Sequence, residues 1–361
     1  VSWSATGVLA VQIPTGAVVY AQNPDRSLRP ASNEKLAVAV AALQELGPHA
    51  RIPTRVYGEG ELDGTLWRGR LVLKGFGDPA LGHDDLRLLA REVAASGIRR
   101  VTEALEVDET YFDRRRTAPG WRARFYKEEC PPLSALVVAR AKVGRVVVDD
   151  PALAAANAFR AALVAAGIHV PNGAHHDVAA SGAAVLADVN SPRIAVLVRT
   201  MNRESDNFVA EMLLKKLGAR ELGRGTTGAG ARVVTRVLQE RDVPLAGVRI
   251  VDGSGLSLSD RMTARALTTM LVSGSSDPRI GNAFFGSLPI AGINGTLEDR
   301  MERPPAYGRV RAKTGTTRNA SALSGFAGTR YVFSVLQNGD AIPWWHARGG
   351  QDRFAQVLAA N

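Results

Sequence analysis

Two short, largely apolar runs, Gly7 to Ile13 and Ala17 to Ala21, flank Pro14-Thr15-Gly16 near the start of the chain. Short apolar runs on either side of a proline–glycine turn predict a pair of strands. Asn23-Pro24-Asp25 breaks the second strand. An alanine-rich helix is expected from Leu36 to Leu46, stopped by Gly47-Pro48. From Arg51 the pattern changes. Thr54 to Tyr57, Gly60 to Leu62, Thr65 to Trp67 and Arg70 to Lys74 are short, alternating and punctuated by glycine, which predicts antiparallel strands. Leu86, Leu89, Ala90 and Val93 recur at helical spacing within Asp84 to Ser96, and Leu105 to Val107 reads as a further strand. This block, residues 51–150, is expected to be a smaller α+β domain inserted into a domain made of 1–50 and 151–361. The alanine-rich helix Pro151 to Ala166 is expected to carry the chain back.

The second half is mostly helical until its end. Helices are predicted over Asn190 to Asn202, from Phe208 through Leu213, over Ala229 to Gln239 and over Thr263 to Ser273. Arg309 to Thr314, Ala320 to Phe326 and Tyr331 to Gln337 alternate as three strands, and Gln351 to Ala360 closes the chain as a helix. Two strands at one end and three at the other imply one antiparallel sheet built from both ends of the chain and flanked by helices, an α/β (α+β) architecture.

Composition narrows the class without naming it. The 361 residues are 45% hydrophobic and 22% charged, an ordinary globular balance, and no apolar run approaches a membrane span. The net charge of +10 points to an anionic partner or surface. Nucleic acid is not expected, because no recognition motif is present and only 6% of residues are aromatic. A lone cysteine, Cys130, excludes an internal disulfide and reads as a packed thiol. His175-His176 sit in a glycine- and alanine-rich stretch with no acidic or cysteine partner at helical spacing, so neither a metal nor a cofactor is expected.

The candidate chemistry lies in three places. Ser32 and Lys35 are three apart at the start of a predicted helix and so share a face. A neutral lysine amine there could take the serine proton, and the helix start favours developing negative charge. Ser-x-x-Lys alone arises by chance about once in a few hundred residues and is ordinarily a helix cap beside a solvated lysine. Ser205-Asp206-Asn207 opens a second helical run, and Lys313-Thr314-Gly315-Thr316 ends a strand-like segment. Each pattern occurs once, in this order, which is the order of penicillin-binding proteins and class A β-lactamases.

The chain most resembles the class C low-molecular-mass penicillin-binding proteins, the D-alanyl-D-alanine carboxypeptidase/endopeptidases of peptidase family S13. The likeness extends to Gly75-Phe76-Gly77-Asp78-Pro79, Val107-Asp108-Glu109-Thr110-Tyr111-Phe112, Pro132-Leu133-Ser134-Ala135-Leu136 and Asp252-Gly253-Ser254-Gly255-Leu256-Ser257. The resemblance implies a serine β-lactamase/DD-peptidase fold and an extracytoplasmic enzyme, exported with a signal peptide absent from this sequence. Peptidoglycan stem peptides and β-lactams would be its ligands, and the cell wall its anionic surface. It implies Ser32 as nucleophile, Lys35 as base, and Lys313 as the cation that depresses Lys35. Ser205 would relay a proton from Lys35 to the leaving amine. Asn207 would hold Lys35 and bind the substrate amide. Lys313 and Thr314 would take the terminal carboxylate, Gly315 would permit close approach, and the N–H groups of Ser32 and Thr316 would form the oxyanion hole.

Two departures stand out. Ser32 and Ser205 are only 173 positions apart, and Ala135–Val138 runs almost directly into Arg145–Val148, so the third domain usual in the family is expected to be missing. Relatives often read a diaminopimelyl side chain with an acidic residue from the inserted domain and an arginine after Gly-Leu-Ser. Here Leu258 stands at the second position, and Asp113 is the acidic candidate, followed by Arg114, Arg115 and Arg116. A β-lactamase and a non-catalytic wall-binding module of the same fold are the rival readings. The inserted block argues against the first and the intact motifs against the second.

Overall fold

The computed structural model describes Ser2 and residues 5–361. In chain order it forms β1 (Thr6–Gln12), β2 (Val18–Gln22), α1 (Glu34–Glu45), β3 (Pro53–Asp63), β4 (Leu66–Gly75), α2 (His83–Ala95), β5 (Arg100–Val101), β6 (Leu105–Asp108) and the single turn α3 (Phe125–Glu128). There follow β7 (Lys142–Val143), β8 (Val146–Val147), α4 (Pro151–Ala165), β9 (Ala174–His176), β10 (Ala184–Asn190), α5 (Ile194–Arg203), α6 (Asn207–Leu222) and α7 (Thr227–Glu240). The last are α8 (Ala264–Ser276), α9 (Gly281–Ser287), β11 (Val310–Thr317), β12 (Ala320–Ala327), β13 (Tyr331–Asn338) and α10 (Trp344–Ala360).

One antiparallel sheet runs β11-β12-β13-β1-β2, so the two chain ends meet at the β1–β13 pairing. Helix α8 packs against its central strands and α10 against β11, β12 and β13. Helix α1 is the centre of the helical layer, touching α5, α6, α7, α8 and α9. Its alanine-rich sequence answers to that position. Every residue from Leu36 to Leu43 is buried, and small side chains let five helices approach one.

A second sheet runs β10-β3-β4-β6-β9, with β5 beside β4. The four short strands expected between Thr54 and Lys74 are one long hairpin, β3–β4. The domain boundary expected at residue 150 lies later. Strand β9 pairs with β6, β10 pairs with β3, and α4 packs on α2 and β6. Phe159 and Leu163 of α4 are buried in the same core as Leu71, Leu89 and Val107. The alanine-rich helix therefore completes the second unit, and the return comes near Ser191. There the two crossing strands are tied together. The Ile52 amide donates to Ser191 Oγ and the Ser191 amide to the Ile52 carbonyl, both at 2.9 Å. His175 and His176, expected in a loop, lie in β9 because its pairing completes the sheet edge.

Between Asp108 and α4 the chain returns to the first unit. Phe112, Phe125, Cys130 and Leu133 pack with Phe208 and Met212 of α6 and with Leu256, forming an apolar seam between the two units. Residues 139–148, where a domain was expected to be missing, form a tight turn and the β7–β8 hairpin.

Candidate active site

The turn Ala31–Asn33 leads directly into α1, which places Ser32 just before the helix and Lys35 within its first turn. Lys35 is wholly buried, while Ser32 is half-buried. Lys35 Nζ meets Ser32 Oγ at 2.9 Å, Asn207 Oδ1 at 2.8 Å and the Ser254 carbonyl at 2.6 Å. A neutral amine has two N–H groups and one lone pair. Asn207 and Ser254 can only accept, so a neutral Lys35 gives them its two hydrogens and turns its lone pair to the Ser32 O–H. Burial pushes Lys35 down to about 8, against the pull of Asp252, Glu211 and Asp206, whose negative charge favours the ammonium. The depression is thus a desolvation effect. Burial, not the neighbouring Lys313 expected to supply it, is the largest cause, and the repulsion between the two lysines disfavours charge on both. Burial and then Lys35 hold Lys313 well below the ordinary lysine value.

Ser205 and Asn207 sit at the start of α6. Asp206 caps the helix, its side chain accepting from the Val209 amide, and Ser205 adopts a left-handed backbone, φ 56°. Ser205 Oγ accepts from Lys313 Nζ at 2.9 Å. The expected direct link between Ser205 and Lys35 is replaced by this one. Asn207 Nδ2 donates at 3.0 Å to the Glu129 carbonyl, a contact from the chain between the two units. Thr314 Oγ1 donates to Thr296 Oγ1 at 2.7 Å.

β11 is a terminal strand of its sheet. The Ala312 amide points away from β12, to the Pro289 carbonyl. Backbone direction alternates along a strand, so the Thr314 and Thr316 amides also face the open edge. Gly315 brings that edge against the Ser32 turn. A Cβ there would stand 2.9 Å from the Pro30 carbonyl and from Asn33 Nδ2. Gly255 serves the turn from the other side at φ 81°, where a Cβ would lie 1.9 Å from the Ala31 carbonyl.

Asp113 lies elsewhere in its contacts. Its carboxylate is ion-paired with the buried Lys215 of α6, which also donates to the Arg115 carbonyl. That pairing commits Asp113 to the seam between units, so the acidic side chain expected to read substrate is already occupied. His176, given no acidic neighbour from sequence, meets Asp150 at 2.9 Å and lies 3.6 Å from Glu109. Arg116 donates to both Glu109 carboxylate oxygens through its two terminal guanidinium nitrogens. Cys130 is buried and its thiol pushed well up by desolvation, which leaves it inert.

A buried acidic group behind Lys35 is not apparent from the motifs. Glu34, Glu211, Asp252 and Asp260 are all fully buried. Glu211 accepts from the Gly253 and Ser254 amides, and Asp252 from the Gly255 and Ser257 amides and from Trp121 Nε1. Burial pushes Glu211 up to about 8 and Asp260 to about 12, and Glu34 rises well above the ordinary carboxylate range. The signal was present for one member: Glu211 stands four residues after Asn207, on the same face of α6.

Three separate elements, α1, α6 and β11, thus converge on one hydroxyl poised beside one buried amine, the arrangement of a serine-type acyl-transfer hydrolase. The sequence matches the D-Ala-D-Ala carboxypeptidase 3 (S13) family over residues 1–146 and 138–360. It is 31% identical to a D-alanyl-D-alanine carboxypeptidase of Actinomadura sp., covering 94% of this chain and 79% of that one. It is 32% identical to Carboxypeptidase Rv3627c of Mycobacterium tuberculosis, covering 95% and 78%. The fold superposes on penicillin binding protein 4 of Haemophilus influenzae with a TM-score of 0.86 at 20% identity, covering 98% and 95%. The chain belongs to peptidase family S13, and it is a serine carboxypeptidase of the D-Ala-D-Ala class. The two matched segments meet at residues 138–146, where the β7–β8 hairpin begins. The alignment to the Actinomadura enzyme spans 432 positions, more than the 361 residues here, so that relative carries residues without a counterpart.

Proposed function

We propose that this carboxypeptidase/endopeptidase cleaves the terminal D-alanyl-D-alanine bond of peptidoglycan stem peptides through an acyl-enzyme on Ser32, outside the cytoplasm, and that penicillins acylate the same hydroxyl. The observation carrying this reading is the 2.9 Å contact from Lys35 Nζ to Ser32 Oγ, with the other two positions around the amine filled by acceptors. Lys35 takes the Ser32 proton as Oγ bonds to the substrate carbonyl carbon. The oxygen of that carbonyl gains charge between the amides of Ser32 and Thr316, each donor worth roughly 3–4 kcal/mol. Ser205 accepts from Lys313, so as the C–N bond breaks it passes its own proton to the leaving D-alanine amine and takes one from Lys313. On deacylation the attacking water's proton returns through Ser205 to Lys313, and Lys35 gives its proton back to Ser32 Oγ. Lys313 and Thr314 bind the terminal carboxylate, a charge-assisted contact that selects a free C-terminus. Asn207 holds Lys35 in line. Water then releases the acyl group.

The test is labelling with a fluorescent penicillin, wild type beside Ser32→Ala, followed over hours. A persistent adduct absent from the variant is the expected result. Rapid turnover would make the protein a β-lactamase, and no adduct on folded wild type would reduce it to a wall-binding module.

A further inference from the structure

Two indoles stand in the open at the start of α10. Trp345 is 71% exposed and Trp344 49%. The other described tryptophans are committed: Trp67 is buried and donates to the Arg70 carbonyl, and Trp121 donates to Asp252. Two ties hold the start of α10 beside the cleft. The Ile342 amide donates to the Arg318 carbonyl at 3.1 Å, and Arg348 Nη2 donates to Thr316 Oγ1 at 3.3 Å. The same guanidinium lies 6.0 Å from the centre of the Trp344 ring. That ring is therefore at most about 11 Å from the Thr316 hydroxyl. Trp345 meets His346 edge to face, with ring centres 6.3 Å apart.

The substrate's direction decides what reaches this pair. A stem peptide whose terminal carboxylate is held by Lys313 and Thr314 runs its N-terminal side past Thr316. At its N-terminus the peptide joins the glycan strand. Three residues separate the acyl D-alanine of a five-residue stem from that junction, and they span about 10 Å extended. We infer that Trp344 and Trp345 form a platform for the glycan strand that carries the stem peptide. A pyranose ring has a face of C–H groups and a rim of hydroxyls. The C–H face would lie on an indole, with Arg348 and His346 beside the hydroxyl rim. A bilayer fits the pair less well. Gly349, Asp352 and Gln356 share a helix face with Trp345, and Arg348, Gln351 and Ala355 share one with Trp344. Neither face is the apolar stripe on which an interfacial helix lies. The inference rests on the carboxypeptidase reading above and extends it from peptide to polymer.

The experiment measures D-alanine release from one stem peptide in two forms: free, and attached to a tetrasaccharide of alternating N-acetylglucosamine and N-acetylmuramic acid. The expected wild-type kcat/KM is about tenfold or more higher for the glycan-linked form, through KM rather than kcat. In a Trp344→Ala/Trp345→Ala double variant that ratio falls toward one. The two forms share every peptide side chain, and the ratio is internal to each preparation, so stem preference and partial loss of folded protein both cancel. A ratio near one in the wild type, or the same ratio in both proteins, with the Ser32 penicillin adduct still forming, would overturn the platform alone. Sedimentation with anionic phospholipid vesicles that the double variant loses, while the ratio stays unmoved, would make the pair a membrane contact instead. Failure to form the adduct would remove the carboxypeptidase reading and the platform with it.

Discussion

If Lys35 is the base, acylation must follow its loss of a proton. An ordinary lysine, at 10.5, would be only about 0.03% neutral at pH 7. Burial brings Lys35 to about 8, which makes it about 10% neutral at pH 7, a gain of roughly 300-fold in competent enzyme. The sign follows directly. Lowering pH protonates the amine and removes the lone pair that accepts the Ser32 proton, so the rate falls on the acid side. Between pH 6 and pH 8 the neutral fraction rises about fifty-fold, and above pH 9 it levels off. The assay is the second-order rate of fluorescent penicillin labelling from pH 5.5 to 9.5. Asp252, Glu211, Asp206 and Cys130 act on Lys35, and Lys35 acts on Lys313, so the limb reports this coupled group as a unit. Lys35→Arg supplies the control, because a guanidinium does not deprotonate and leaves no limb to titrate. Its rate should fall about 100- to 10,000-fold, the usual contribution of a general base. A flat profile, or Lys35→Arg labelling within tenfold of wild type, would refute Lys35 as base.

Three further outcomes follow from the packing. Gly315→Val should lower penicillin labelling by about tenfold or more with little change in Tm, because its Cβ would meet the Pro30 carbonyl and Asn33 and push β11 off the Ser32 turn. Phe159→Ala, in the core under α4, should cost about 3–5 kcal/mol in a denaturant melt, and melting of the second unit alone would show up as a split transition. Burial pushes Glu109 up, but Arg116 and Ser134 more than offset it and hold the carboxyl below its ordinary value. Its stabilisation is therefore present above about pH 4 and lost as pH falls through the folded value, and Glu109→Ala should cost about 3–5 kcal/mol at pH 7 by leaving Arg116 only the 4.0 Å contact with Asp150. Thermal melts of both proteins at pH 7 and pH 3.5 check the sign, since the difference between them should shrink in acid.

How much of this was legible depended on whether the information was local. The five strands of the first sheet each alternate within a few residues and could be read directly, and so could the capped start of α6. The membership of α4 could not. Pro151–Ala165 is apolar on most of its surface, and nothing within it distinguishes packing on α2 from packing on the first unit. That was decided by β9 and β10, two strands more than 60 residues from their partners β6 and β3. The site divides in the same way. Motif order named Ser32, Lys35, Ser205, Asn207 and Lys313, but not which lysine Ser205 would face. The pairing of Asp113 is non-local in the same way: its partner Lys215 lies 102 positions away.

The same distinction explains how the chain can carry fewer residues than an aligned relative and keep its cleft. The residues that meet Ser32 belong to α1, α6, β11 and the Asp252 turn, all carried by the first unit. The chain from Glu109 to Asp150 adds the Glu129 carbonyl, Trp121 and the apolar seam. What must be conserved across the gap is therefore the seam and its ties. Ser134 Oγ donates to Glu109, the Ala139 amide to the Leu81 carbonyl, and the Val148 amide to the Ala141 carbonyl. Arg140, at the base of the hairpin, pairs with Asp206, the residue that caps α6 between Ser205 and Asn207. A domain placed beyond residues 142–147 would hang outside these ties. Among the described residues the cap, the carbonyl for Asn207 and Lys35 draw no hydrogen bond or ion pair from the hairpin tip, so extra residues there need not disturb them.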